Sequence, residues 1–189
     1  MPESINVSEH PELKEKVRDG SLFIQECPSC GERHLAQYQT LYHDPEASLL
    51  IWLLPGGAEP PSGVASIASQ LPGYTLRIVR DAGSLIEKVN IHDAGLDDAT
   101  VELCKYVTRH ELAEKQGAKA LELNMKFYRL QGADNEIVLS FPMDGAMHAV
   151  NIGFNVYEDC SAILLRNPDA MPSEGFARVD SDWVDTIFK

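Results

Sequence analysis

Cys27-Pro28-Ser29-Cys30-Gly31 is the one motif of the 189-residue chain whose residue types and spacing point to chemistry. Two thiolates separated by two residues can turn toward a single tetrahedral metal ion. The proline shapes the bend, and the glycine is free to take the positive φ that aims backbone N–H groups at the sulfurs. The same Cys-Pro-x-Cys spacing serves redox disulfides, but that chemistry wants the leading cysteine at a helix N-terminus, where the dipole lowers its pKa. Residues 31–44 open on glycine and are interrupted by Thr40 and Asp44-Pro45, which argues against a long helix there. Zinc knuckle, redox pair and inert cysteines stand as three readings, and the residues favour the first.

A structural zinc takes four ligands, and only Cys27 and Cys30 are evident. His34 comes after Cys30 with three residues between, within an expected strand; His43 reads as a turn histidine. Cys104 and Cys160 fall on apolar helix faces and read as buried, inert thiols. A symmetric dimer pooling two Cys27/Cys30 pairs would supply four thiolates. The other constellations fall short of a reaction. His110-Glu111-Leu112-Ala113-Glu114 begins like a zinc-protease helix but has Glu114 where a second histidine is required. There is no Gly-x-Ser-x-Gly elbow and no Gly-x-Gly-x-x-Gly turn. His92 and Asp93 lie near Asp97 at two helix ends, and capping accounts for Asp97 and Asp98.

The elements around these residues predict an α+β fold: an N-terminal zinc-ribbon-like β piece, a helical middle and a C-terminal antiparallel β-meander. A helix opens at Pro11 and stops at Gly20, and a strand over 21–26 leads into the cysteine turn. Residues 33–42 are extended. The run 48–54 (SLLIWLL) reads as a strand buried on both faces. Residues 55–63 (PGGAEPPSG) form a Pro/Gly loop without the Lys-Ser/Thr of a phosphate loop. Beyond it are expected a short helix at 64–70, a strand at 75–79, a helix capped by Ser84 with Glu87, and a helix capped by Asp97 or Asp98 and stopped by Gly117. Alternation at Leu121, Leu123, Met125 and Phe127 predicts a strand over 121–127. Ile137, Leu139 and Phe141 return from it, and Asp144-Gly145 turns into a third strand through Val150, Ile152, Phe154 and Val156. A helix over 157–166, a short strand at 176–179 and a terminal helix capped by Asp180 or Ser181 complete the chain.

Composition bounds the function. Lys and Arg number 16 against 29 Asp and Glu, a net charge of −13, which opposes the clustered cations a nucleic-acid surface needs. With 44% hydrophobic residues the chain can fill a core. Its longest apolar run, 49–54, is far shorter than the ~20 residues of a membrane helix. No apolar signal segment opens the sequence, and four cysteines are too few for a disulfide scaffold. A cytoplasmic protein that binds neither nucleic acid nor membrane is expected, with another protein or a second copy as partner.

Residues 3–55 resemble the second half of the bacterial and archaeal CpXC domain, a family named for two Cys-Pro-x-Cys motifs and without an assigned activity. The matching pieces are Ser4-Ile5-Asn6-Val7, 11–16 (PELKEK), 20–23 (GSLF), 27–31 (CPSCG) and 41–44 (LYHD). Residues 76–105 are similar to the next region of longer members, with 85–88 and 95–98 as the most specific words; 176–183 resemble their C-terminal end. The resemblance implies that Cys27 and Cys30 are zinc ligands. It also implies a first Cys-Pro-x-Cys before Ser4, where Met1-Pro2-Glu3 stands instead, so half of the expected ligands are missing. The expected organisation is a CpXC/zinc-ribbon-like region at 1–54, a Pro/Gly-rich loop at 55–74, and an α+β body at 75–189 that shares one core with 1–54. The expected role is a non-enzymatic protein-binding or scaffold module braced by zinc. The alternative is a thiol–disulfide oxidoreductase with Cys27 as nucleophile and Cys30 as resolving thiol.

Overall fold

A strand without a polar face has to be covered on both sides, and the run around Ile51 sets the architecture of its half of the chain. The computed structural model describes residues 4–60 and 62–188; Met1-Pro2-Glu3, the place of the expected first motif, lie outside the described residues. The fold is α+β, as the residues predict, with six α-helices and three sheets among the described residues. Two compact units divide the chain, residues 1–89 with 173–178 and residues 90–172 with 179–189.

In the first unit the elements run β1 (Ser4–Asn6), α1 (Pro11–Arg18), β2 (Ile24–Glu26), β3 (Arg33–Leu35), β4 (Thr40–Asp44), β5 (Leu49–Leu53), α2 (Val64–Ser69), β6 (Thr75–Val79) and α3 (Ala82–Asp93). Four strands form one mixed sheet in the order β1-β4-β5-β6, antiparallel only between β4 and β5. All five residues of β5 are buried. Leu49, Ile51 and Leu53 pack into a core with Val17 of α1 and Leu85 and Val89 of α3, while Trp52 meets the ring edge of Phe176 at 5.8 Å. Pro11 opens α1 and Glu12 sits in its first turn, with Lys16 and Arg18 in its last, a charge order that suits the helix dipole.

A buried carboxylate fastens α1 to the sheet. Asp44, at the end of β4, accepts from Lys14 Nζ at 2.9 Å, from the Ala47 N–H at 3.2 Å and from the Tyr42 hydroxyl at 3.5 Å. Burial alone raises its pKa, but the Lys14 ammonium and the other donors outweigh burial and hold it below the ordinary carboxylate value. The segments 11–16 and 41–44, two of the family-like words of the sequence, thus meet in space.

The second unit contains α4 (Asp98–Gln116), β7 (Lys126–Gln131), β8 (Glu136–Met143), β9 (Ala146–Ile152), α5 (Phe154–Arg166) and α6 (Ser181–Ile187). Strands β7-β8-β9 form the expected antiparallel meander. Asp144 and Gly145 both take positive φ, 51° and 78°, as the tight turn of a right-twisted hairpin demands. Ile137, Leu139 and Phe141 enter a core with Met125, Phe127 and Val101.

Several local expectations are corrected. Over 21–26 only Ile24–Glu26 is strand, because Gly20 turns the chain and Ser21–Phe23 is a 3-10 turn. The cap of α3 is Asp81, which accepts the Ser84 N–H and hydroxyl at 2.7 Å each; Ser84 itself lies within the first turn. Asp97 does cap α4, accepting the Thr100 N–H at 2.8 Å, and Gly117 ends it. The alternation over 121–127 is not a strand from its start. Ala118–Glu122 continues as a 3-10 turn bonded back to Gly117, Leu121 is exposed, and pairing begins only at Lys126. Phe154 and Val156 are helical: the strand ends at Ile152, and Phe154 stacks on Tyr157 one turn along α5 at 5.2 Å. Residues 176–179 make a single bridge, Ala177 to Arg77, and no strand. Among the described residues, no helix is long and apolar enough to cross a membrane.

Replacing Asp44 with Asn is expected to destabilise the protein by about 2–3 kcal/mol at neutral pH, since it removes the buried anion that accepts from Lys14, the Ala47 N–H and the Tyr42 hydroxyl. A carboxylate with a depressed pKa stabilises above its unfolded value and loses that contribution as pH falls through the folded one. The gap between the two proteins in urea melts is therefore expected to narrow below about pH 4 and close in stronger acid.

Candidate functional site

The cysteine turn is built by β2 and β3, which pair antiparallel with Glu26 opposite Arg33. Two backbone bonds close the connection: Cys27 N–H to Glu32 O and Gly31 N–H to Cys27 O, both 2.8 Å. Gly31 takes φ +71°, a conformation that strains any residue with a Cβ and that brings the chain back into β3. The expected bend between two strands is present, and no helix comes after Cys30 before β3. Every residue of β2 and β3 is exposed, as is Cys30, while Cys27 is half-buried.

The two sulfurs have different surroundings. The Ser29 hydroxyl and the Cys27 sulfur share a hydrogen bond across 3.0 Å, in which the hydroxyl is the donor when the sulfur is a thiolate. That bond, followed by the Ser29 and Cys30 N–H groups and the Cys30 thiol, pulls the Cys27 pKa from 9.0 down to about 6. The acidity comes from donors of the turn itself, with no helix dipole involved. Because the folded value lies below the ordinary one, the thiolate contributes to stability fully above about pH 9, and that contribution is lost as pH falls through 6.

Other candidate ligands do not join the pair. Among the described residues, no three His, Cys, Asp or Glu side chains gather into a group able to hold a metal. His34 lies on β3, exposed and opposite Gln25. His43 lies on β4 within 3.3 Å of the Tyr74 hydroxyl. His110, Glu111 and Glu114 occupy the exposed side of α4, with His110 against the Tyr106 ring at 4.3 Å. Asp97 is engaged as a cap and its own N–H donates to the Tyr157 hydroxyl at 2.8 Å. In donor type and turn geometry Cys27 and Cys30 fit half of a tetrahedral zinc sphere.

Cys104 and Cys160, read one at a time as inert helix thiols, are buried as expected, and their interaction holds Cys160 below the ordinary thiol value while it and burial push Cys104 above it. Their pairing had a faint signal: both sit on the inward face of their helices, one on either side of the meander in sequence.

Residues 1–105 match the family described as CpXC protein, more than half of the 189 residues. No curated protein and no solved structure matches the chain.

On metal-free protein, alkylation of Cys27 by iodoacetamide is expected to rise with a midpoint near pH 6. Ser29→Ala removes the strongest donor and is expected to move that midpoint up toward the ordinary thiol range while leaving the melting temperature measured below pH 6 almost unchanged. Mass spectrometry of the labelled peptide across pH measures it.

Proposed function

From the premise that the chain belongs to the CpXC family, we propose that the hairpin at 27–31 is half of a structural zinc site, completed by the same hairpin of a second copy. The protein on this reading is a non-enzymatic, protein-binding scaffold module. The observation that carries it is the turn: N–H groups of Ser29 and Cys30 converge on a thiolate held between two strands, with Gly31 returning the chain. N–H donors on a thiolate offset its charge and orient it, as a metal-bound sulfur requires. When bound, zinc supplies a cross-link between four thiolates. This chain's part is to present the Cys27 thiolate with Cys30 beside it in fixed register. A two-stranded hairpin with both strands exposed is marginal alone, so a metal brace is worth most here. The acidic surface, at −13 overall, suits a protein partner better than a nucleic acid. A cytoplasmic location accords with thiols kept reduced.

A second reading draws on the same acidity. A thiol near pKa 6 beside a second cysteine can attack a disulfide and be released by its neighbour. The missing helix after Cys30 weighs against it, since neither a dipole nor a burying helix shapes the pair for turnover.

Elemental analysis of the purified chain is expected to give one zinc per two chains, with a dimer that dissociates on chelation. Cys27→Ser is expected to lose both the metal and the dimer. A metal-free monomer that reduces a small disulfide at a Cys27-dependent rate establishes the oxidoreductase instead.

A further inference from the structure

Ile24 and Leu35 stand directly opposite one another in the β2–β3 ladder, as do Glu26 and Arg33. Opposed residues share a face of the ladder, and so do alternate residues of one strand. These four residues therefore make up one face of the hairpin. Its apolar half is open to water, with Ile24 39% and Leu35 60% exposed. Its other half, next to the cysteine turn, carries one carboxylate and one guanidinium. Among the described residues, the side chains of Glu26 and Arg33 enter no hydrogen bond or ion pair, although they sit opposite one another. We propose that this face is the surface on which a second copy of the chain docks, with Ile24 against the partner's Leu35 and Glu26 against the partner's Arg33. The inference rests on the reading of the hairpin as half of a zinc site shared by two copies.

One symmetry operation accounts for the match. A two-fold axis along the hairpin, between two such faces, sets each β2 against the other copy's β3 at the same level. Apolar side chains then meet apolar ones, and each charge meets its opposite, as a self-complementary patch requires. The same axis gathers both Cys27–Cys30 turns at one end. A two-fold axis across the strands does the reverse: it sends the turns to opposite ends and sets each charge against an apolar side chain.

Charge also singles out this face. The chain carries −13 overall, so two copies repel, whereas the four residues hold one charge of each sign and cancel. Four residues a side bury far less than the roughly 800 Å² per partner of a stable interface. The face therefore orients two copies that the metal joins, and it selects a second copy over other partners by its alternation of apolar and oppositely charged positions.

Sedimentation of the 189-residue chain, with one zinc added per two chains and again after chelation, tests this. With zinc present, Glu26→Arg and Arg33→Glu are each expected to weaken the dimer about tenfold or more, since each sets like charges against one another. The two variants mixed in equal amounts are expected to form a heterodimer as tight as the unmodified dimer, because every facing pair is again opposite in sign. Leu35→Ser is expected to weaken the dimer without changing its sensitivity to chelation. All three positions are exposed, and the chelated variants are expected to melt with the unmodified chain. A zinc-bearing dimer that both charge variants form as tightly as the unmodified chain overturns this inference and leaves the zinc reading standing. So does a dimer weakened in both variants and not restored in their mixture. A dimer that survives chelation and still responds to both charge changes supports the docking face and overturns the zinc reading alone. A chain that takes no zinc and stays monomeric overturns both.

Discussion

Leu49 through Leu53 leave water together, and a strand with five apolar residues in a row has neither a solvent face nor a tolerable edge. Each such side chain contributes about 1.5–3 kcal/mol when fully buried, so the surroundings are arranged to cover them. Strands β4 and β6 take the two edges. Val17, Leu85 and Val89 cover one face. On the other face Trp52 needs a partner from far along the chain, and Phe176 supplies it. The segment around Phe176 is held by two backbone bonds from β6, Ile78 N–H to Ala177 O at 3.0 Å and Ala177 N–H to Leu76 O at 3.3 Å. A distant stretch of sequence is thereby recruited into the first unit by the demands of one strand.

The thiol hairpin stands at the other extreme. It joins the core through its base, where Phe23 is buried and its carbonyl accepts the Ala36 N–H at 2.8 Å, while the strands beyond are exposed on both sides. Little packing holds the turn, so its shape rests on two backbone bonds, on Gly31 and on the donors around the Cys27 sulfur. Such a turn can be tuned without disturbing the sheet, which explains how a donor-rich loop and a dense apolar strand coexist within about 25 residues of each other.

Legibility followed the strength of the local signal. β5 was plain because nothing but a doubly covered strand accommodates LLIWL. The meander was plain because Asp144-Gly145 admits few turns and Ile137, Leu139 and Phe141 keep strict alternation. Alternation misled where it ran across a boundary. Leu121 and Leu123 fit a period of two only by accident of a 3-10 turn, and a register shift between Phe127 and Arg129 breaks the pattern again inside β7. Phe154 and Val156 continued the alternation of β9, yet Phe154 and Tyr157 also suit a helix, and the helix buries both rings better. The α3 cap was displaced by three residues because Asp81 and Ser84 are both good caps, and only the tertiary bond from Ala82 N–H to Gln37 Oε1 at 2.8 Å fixes the entry. The cysteine motif itself was legible, whereas the meeting of Cys104 with Cys160 depends on how two helices pack and leaves no pattern in either helix alone.

The two thiol pairs differ in what stabilises a negative sulfur. At the hairpin the Cys27 charge is met by the Ser29 hydroxyl, by backbone N–H groups and by the Cys30 thiol, at the edge of water. In the α4–α5 contact the donor to Cys160 is Cys104, so one sulfur gains acidity only as the other loses it. The first arrangement holds one anionic sulfur, Cys27, among several donors. The second disfavours two anions in one apolar site. One pair therefore carries a negative sulfur at the edge of water, and the other meets the same desolvation cost inside an apolar contact.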